Sequence, residues 1–220
     1  MTGRQHNGRR PALVFDLDGT LSDPFEGIWR SVNFALATVA ADPVPREEFP
    51  RYIGPPIDHT FRALIPGIGE DGVHALVAAF RDRYGRLGYA ENTLYDGVPE
   101  VLDALRGRSH PCGVCTAKRR DFAERILAMF TLDHRFDFVD GGDVGIAKTD
   151  QLAALLRTGA IGPDAVMIGD RASDVAAATA NGLRAIGVTW GFGSREELEG
   201  AAPWEIVESP AALPGVVDRL

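Results

Sequence analysis

Cysteine is nearly absent from this chain of 220 residues: only Cys112 and Cys115 occur. They lie in the apolar run Cys112-Gly113-Val114-Cys115-Thr116, where an extended conformation is expected, and residues three apart on a strand point to opposite faces. Two buried structural thiols are therefore favoured over a disulfide, a shared metal or thioredoxin-like redox chemistry. Positive charge is also scarce. With 23 Lys and Arg against 31 Asp and Glu the formal net charge is −8, which argues against nucleic acid as a partner because a polyphosphate backbone is repelled overall. A small phosphorylated ligand escapes this argument, since one metal ion and a few local cations offset its charge. No run approaches the ~20 apolar residues of a membrane span. The first ten residues, MTGRQHNGRR, are not followed by a secretory apolar segment, because Asp16 and Asp18 interrupt the hydrophobic run that starts there. Residues 1–10 read as a disordered start, and the expected compartment is the cytoplasm.

What is present suits a sizeable core: 45% of residues are hydrophobic and 25% charged. Residues 12–15 (ALVF) form a short apolar run ended by Asp16-Leu17-Asp18-Gly19, as expected of a buried strand breaking into a turn. Residues 112–116, 136–139, 165–168 and 184–188 repeat that design. Between them, residues 98–105, 121–129, 149–156 and 173–180 have helical spacing. Strands alternating with helices predict a doubly wound parallel α/β sheet covered on both faces, with ligands at the carboxyl ends of its strands. Residues 22–90 break the alternation: 28–39 and 73–84 are helical in period, and Tyr52-Ile53-Gly54-Pro55-Pro56-Ile57 between them reads as a turn. The expected organisation is a core of residues 11–21 and 91–220 carrying a helical insertion.

Asp16 and Asp18 stand two residues apart where a strand ends, so in extended geometry they share a face unless the turn redirects one. Paired anions make sense around a divalent cation or a shared proton; two ordinary turn aspartates are the alternative. Thr116 ends a predicted strand, where its hydroxyl could face a ligand or cap the next helix. Lys118 and Lys148 are competing cations, and Gly169-Asp170-Arg171-Ala172-Ser173-Asp174 follows another apolar strand.

Taken together, Asp16-Leu17-Asp18-Gly19-Thr20-Leu21, Val114-Cys115-Thr116-Ala117-Lys118, Lys148 and Asp170 to Asp174 resemble, in order, the four motifs of haloacid dehalogenase superfamily phosphatases. The resemblance runs from Leu13 to Val207 and implies a Rossmann-like core with an inserted α-helical cap. It also implies that Asp16 is the nucleophile, forming an aspartyl phosphate, and that Asp18 is the general acid and then the base. Thr116 would hydrogen-bond a phosphoryl oxygen and Lys148 would offset charge, with Gly19, Thr20, Ala117 and the cap residue Arg51 completing the substrate site. Mg2+ would be held by Asp16, Asp170 and the backbone of Asp18, with Asp174 orienting a metal water or Lys148.

Within the superfamily, Asp18 and Thr20 point to phosphatases. Residues 52–57 and 187–198 resemble the phosphoglycolate phosphatase-like branch, some of whose members are nucleotidases or pyrophosphatases. The loop before Lys148 is shorter than that branch's usual one and lacks a basic residue. Arg51, His59 and Arg62 are cap cations that either meet a substrate anion or are simply solvated. The expected activity is magnesium-dependent hydrolysis of a small-metabolite phosphate monoester, with phosphoglycolate the leading candidate that the resemblance implies. A sugar phosphomutase and a non-catalytic phosphometabolite-binding module are the competing readings. A monomer and a homodimer remain equally open.

Overall fold

The computed structural model describes residues 10–220; the disordered start expected for residues 1–10 falls almost wholly outside them. The elements are, in order, β1 (Leu13–Phe15), β2 (Ser22–Asp23), α1 (Phe25–Ala37), α2 (Ile57–Leu64), α3 (Glu70–Arg86), β3 (Thr93–Leu94), α4 (Val98–Gly107), β4 (Cys112–Arg119), α5 (Arg120–Met129), β5 (Phe138–Gly142), α6 (Lys148–Thr158), β6 (Val166–Gly169), α7 (Ala172–Ala180), β7 (Arg184–Val188), α8 (Arg195–Ala201), β8 (Glu205–Val207) and α9 (Leu213–Val217). Six strands form a parallel sheet in the order β5-β4-β1-β6-β7-β8, so the α/β expectation holds.

Alternation along the strands explains the two layers. Leu13, Phe15, Val114, Val166, Ile168 and Ile186 pack on one face with α4, α5 and α9, while Val14, Met167 and Ala185 pack on the other with α6, α7 and α8. Cys112 belongs to the first cluster and Cys115 to the second; both are free and buried, as two thiols three apart on a strand should be. Residues 25–91 form the helical insertion, with a third apolar core built from Val32, Phe49, Phe61, Leu76 and Tyr84. Its two connections to the sheet are clasped by the antiparallel pair β2-β3.

The structure differs from the pattern reading in four places. β4 runs past Thr116 to Arg119, with a register shift against β5 between those residues, so Thr116 is not terminal. β5 lies further along the chain than residues 136–139. α2 begins directly after Pro56, in a stretch whose glycine and prolines read as turn. β8 is only three residues long, too short for its period to register, and it is docked by the Trp204 amide donating to the Ala185 carbonyl at 2.8 Å. Among the described residues no helix is long and apolar enough to cross a membrane.

Candidate active site

The loop leaving β1 closes on one carbonyl: Leu17 O accepts from the amides of Thr20, Leu21 and Ser22, while the Gly19 amide donates to Ser22 O at 2.8 Å. The amides of Gly19 and Thr20, two residues the resemblance placed at the substrate, donate within the turn. The Thr20 hydroxyl donates to Asp170 Oδ1 at 3.3 Å, and so supports a carboxylate instead of facing a ligand. Gly19 has φ +85°, and a Cβ there would lie 2.2 Å from Asp170 Oδ2, so both conformation and space require glycine.

This turn leaves Asp16 at the carboxyl end of the central strand, buried, with its Oδ1 accepting from the Leu17 amide at 2.8 Å. Lys148, the first residue of α6, reaches it from above: its Nζ is 3.0 Å from Asp16 Oδ2 and bonds Asp174 Oδ1. Burial opposes the charge on Lys148, but Asp16 and Asp174 outweigh it and raise the pKa. Lys148, which the resemblance set against the nucleophile's charge, thus stands between Asp16 and Asp174. Asp170 follows β6 and Asp174 lies in the first turn of α7; Asp16, Asp170 and Asp174 each bring one oxygen within 4.8 Å of the others. Asp170 Oδ2 accepts from the Phe192 amide at 2.8 Å, and Asp174 Oδ2 from the Arg171 amide at 3.1 Å.

Lys118, by contrast, belongs to Asp18. The register shift in β4 places Lys118 Nζ 2.8 Å from Asp18 Oδ2. Asp18 thus lies outside the trio whose oxygens gather within 4.8 Å of one another, with its carboxylate on Lys118 while Asp16 is on Lys148. Burial raises the Asp18 pKa while Lys118 works against that rise. The Thr116 hydroxyl accepts from the Lys118 amide at 3.2 Å, and α5 begins only at Arg120, so it does not cap that helix.

With all four ionised, the buried carboxylates of Asp16, Asp18, Asp170 and Asp174 outnumber the ammonium groups of Lys118 and Lys148 by two among the described residues of the site. Burial, then Asp174 and Asp16, push Asp170 up to about 8, as expected where anions are held together without compensation. The all-oxygen donor set and the charge of the deficit fit a hard divalent cation such as magnesium. The cradle is tight: a Cβ at Gly191 would lie 2.4 Å from Asp170 Oδ2, and one at Gly193 1.9 Å from the Asp170 carbonyl oxygen. Sequence reading assigned neither glycine a role; the Gly-x-Gly spacing after an apolar strand was the available signal.

Beside Asp18 and Lys118 opens a cleft of about 630 Å³, its mouth included, between sheet and insertion. Its walls carry Ile28, Tyr52, Ile57, Phe80, Tyr84 and Phe122 beside Asp18, Thr60, Arg81, Lys118, Arg119 and Asp143, and Ala117 lies among them. Arg51, His59 and Arg62 do not line it: Arg51 is exposed and donates to the Glu48 carbonyl, His59 is exposed beside Asp58, and Arg62 pairs with Glu70. The arginines that do line it are Arg81 and Arg119, paired with Asp143 and Asp121.

Comparison with known proteins agrees with this geometry. The chain is 38% identical over 214 residues to a 5'-nucleotidase of Pseudomonas aeruginosa, covering 96% of both chains. It is 39% identical to the tyrosine-protein kinase PtkA of Mycobacterium tuberculosis, over 87% of this chain and 67% of that one. To phosphoglycolate phosphatase 1 of Pseudomonas aeruginosa it is 30% identical, over 91% of this chain and 78% of the relative. Among solved structures, a predicted phosphatase from Clostridium acetobutylicum superposes with a TM-score of 0.91 at 33% identity, covering 96% of this chain and all of the other. The family described as haloacid dehalogenase-like hydrolase matches residues 13–188, and with its motif carboxylates and lysine gathered at one strand end the chain belongs to that family, as a phosphoric monoester hydrolase of its phosphoglycolate phosphatase-like branch.

Proposed function

We propose that this protein is a magnesium-dependent phosphatase that transfers the phosphoryl group of a small phosphate monoester to Asp16. The observation that carries the reading is the Asp16 carboxylate, buried at the sheet's carboxyl edge and held at 3.0 Å by Lys148 beside Asp170 and Asp174. Asp16, Asp170 and Asp174 are the side chains that would hold or orient magnesium, which when bound neutralises phosphoryl charge. An Asp16 oxygen attacks phosphorus, the bond to the leaving oxygen breaks, and Asp18 supplies that oxygen's proton. Asp18 then takes a proton from water as the water attacks phosphorus and the Asp16–phosphate bond breaks, releasing inorganic phosphate. Lys148 keeps the nucleophile oriented and offsets charge throughout.

The cleft favours one class of substrate. Phosphoglycolate carries a second anion, yet Lys118, Arg81 and Arg119 each already face a carboxylate. A monoester with a neutral, flat body, such as a nucleoside monophosphate, suits the walls of Tyr52, Phe80 and Phe122 better, and a relative bearing the name 5'-nucleotidase supports that choice.

The test is a phosphate-ester panel assayed with magnesium and with EDTA. Nucleoside monophosphates should exceed phosphoglycolate in kcat/KM, with one inorganic phosphate released per turnover and no activity in EDTA. Transfer to a second hydroxyl without phosphate release would make the protein a transferase. Asp16→Asn should lower kcat by at least about a thousandfold with an unchanged circular dichroism spectrum; substantial activity in clean variant protein would remove Asp16 from the nucleophile's role.

A further inference from the structure

Lys118 is one of two buried ammonium groups at the site, and the phosphoryl chemistry above does not use it. Its Nζ lies 2.8 Å from Asp18 Oδ2 and 2.8 Å from the hydroxyl of Tyr84, and its side chain is only 6% exposed. Tyr84 comes from the other body of the protein, on α3 of the helical insertion. Its ring is fixed by Phe80 and Phe122, each with its centroid 5.2 Å away. Its hydroxyl also accepts from Asn92 Nδ2 at 3.2 Å, and Asn92 Oδ1 accepts from the Ser22 hydroxyl at 3.2 Å, which ties the group to the β2-β3 clasp.

The two oxygens of Asp18 are treated differently. Oδ2 is taken by Lys118, whereas Oδ1 is buried with no hydrogen-bond partner among the described residues. An unmatched buried oxygen is destabilising, and a ligand atom that completes it removes that cost. In this site the atoms that need it are the leaving-group oxygen and, later, the attacking water.

We propose that Lys118 and Tyr84 are positioning residues for Asp18: Lys118 grips Oδ2 so that Oδ1 is presented to the leaving oxygen, and Tyr84 makes that grip depend on the docked insertion. The proposal rests on the phosphatase reading above. Neither residue touches phosphorus chemistry directly, so their removal should matter in proportion to how much the leaving group needs a proton. An alkoxide needs one; 2,4-dinitrophenolate leaves without it.

The experiment is rapid mixing of magnesium-loaded enzyme with an alkyl phosphate and with 2,4-dinitrophenyl phosphate, following the first release of the leaving group. For Lys118→Met the transfer rate from the alkyl ester should fall about a hundredfold, a typical worth of acid catalysis, while the dinitrophenolate burst stays within about threefold. Tyr84→Phe keeps the ring and its packing and should show the same pattern at about tenfold; it carries the test alone if Lys118→Met does not fold. Equal losses with both esters would mean that Lys118 acts on the phosphoryl group, and no loss with the alkyl ester would mean that it only balances charge; either overturns the proposal. Absence of burst and of phosphate release in the unmutated protein would instead defeat the phosphatase reading, and the positioning role with it.

Discussion

The electrostatics of the site turn on single residues whose neighbours leave no room for change. Asp170 accepts from the Thr20 hydroxyl and the Phe192 amide, and Gly19, Gly191 and Gly193 wall it in. Gly191 is a direct probe, because its backbone carries no positive φ and the atoms nearest to a methyl group there are the Gly19 carbonyl oxygen at 2.3 Å and two atoms of Asp170. Alanine at 191 should therefore push on both the Gly19 turn and the Asp170 carboxylate. Gly191→Ala is expected to weaken magnesium roughly ten- to a hundredfold, the range for groups that orient a metal ligand, measured as the magnesium concentration giving half-maximal activity. An unchanged requirement would show that Asp170 can shift without loss, and would argue against its role as a ligand.

At the scale of elements, the insertion is closed on itself through a backbone approach that forbids a side chain. Gly27 in the first turn of α1 faces the Gly88 carbonyl, with a Cβ at Gly27 falling 2.1 Å from that oxygen. Two effects oppose each other in Gly27→Ala: better helix propensity, about 1 kcal/mol, and overlap with backbone that cannot rotate away, about 1–3 kcal/mol. The overlap should prevail. Thermal unfolding should drop by a few degrees, at roughly 2–4 °C per kcal/mol for a chain of this size; a rise would show that α1 slides past the turn at no loss. Polar contacts join the insertion to the sheet: Arg171, paired with Glu197 at 2.9 Å, bonds the Ile53 carbonyl, while Arg125 donates to Gly85 O at 2.9 Å.

The fold as a whole sets an alkaline limit through its two thiols. Burial pushes Cys112 and Cys115 up to about 12, whereas an unfolded thiol ionises near 9. The folded state therefore holds protons that the unfolded state releases. The stability this represents is fully present below about pH 9 and is lost as pH rises toward the folded value, at about 1.4 kcal/mol per thiol per pH unit. The urea midpoint should fall between pH 8.5 and 10, below the range where the raised phenols of Tyr84 and Tyr95 add to the same trend. Replacing both thiols by alanine should flatten the curve; an equally steep fall without them would assign it to other groups.

Most of the sheet was legible because buried parallel strands are continuous apolar runs, and β1, β6 and β7 lie within a residue of where those runs predict. β8 and the two-residue strands of the clasp carry no periodic signal, and α2 was hidden by the prolines before it. By itself the sequence determined the strand and helix alternation, the order of Asp16, Thr116, Lys148 and Asp170, and the opposite-facing thiols, all of which follow from local spacing. Tertiary structure alone decided that Lys148 bridges Asp16 and Asp174, that Lys118 draws Asp18 aside, and that Arg51 lies away from the cleft while Arg81 and Arg119 line it. The lysine pairings join residues 26 to 132 positions apart, and that of Lys118 depends on a register shift in β4; spacing along a chain contains no distance between separate elements.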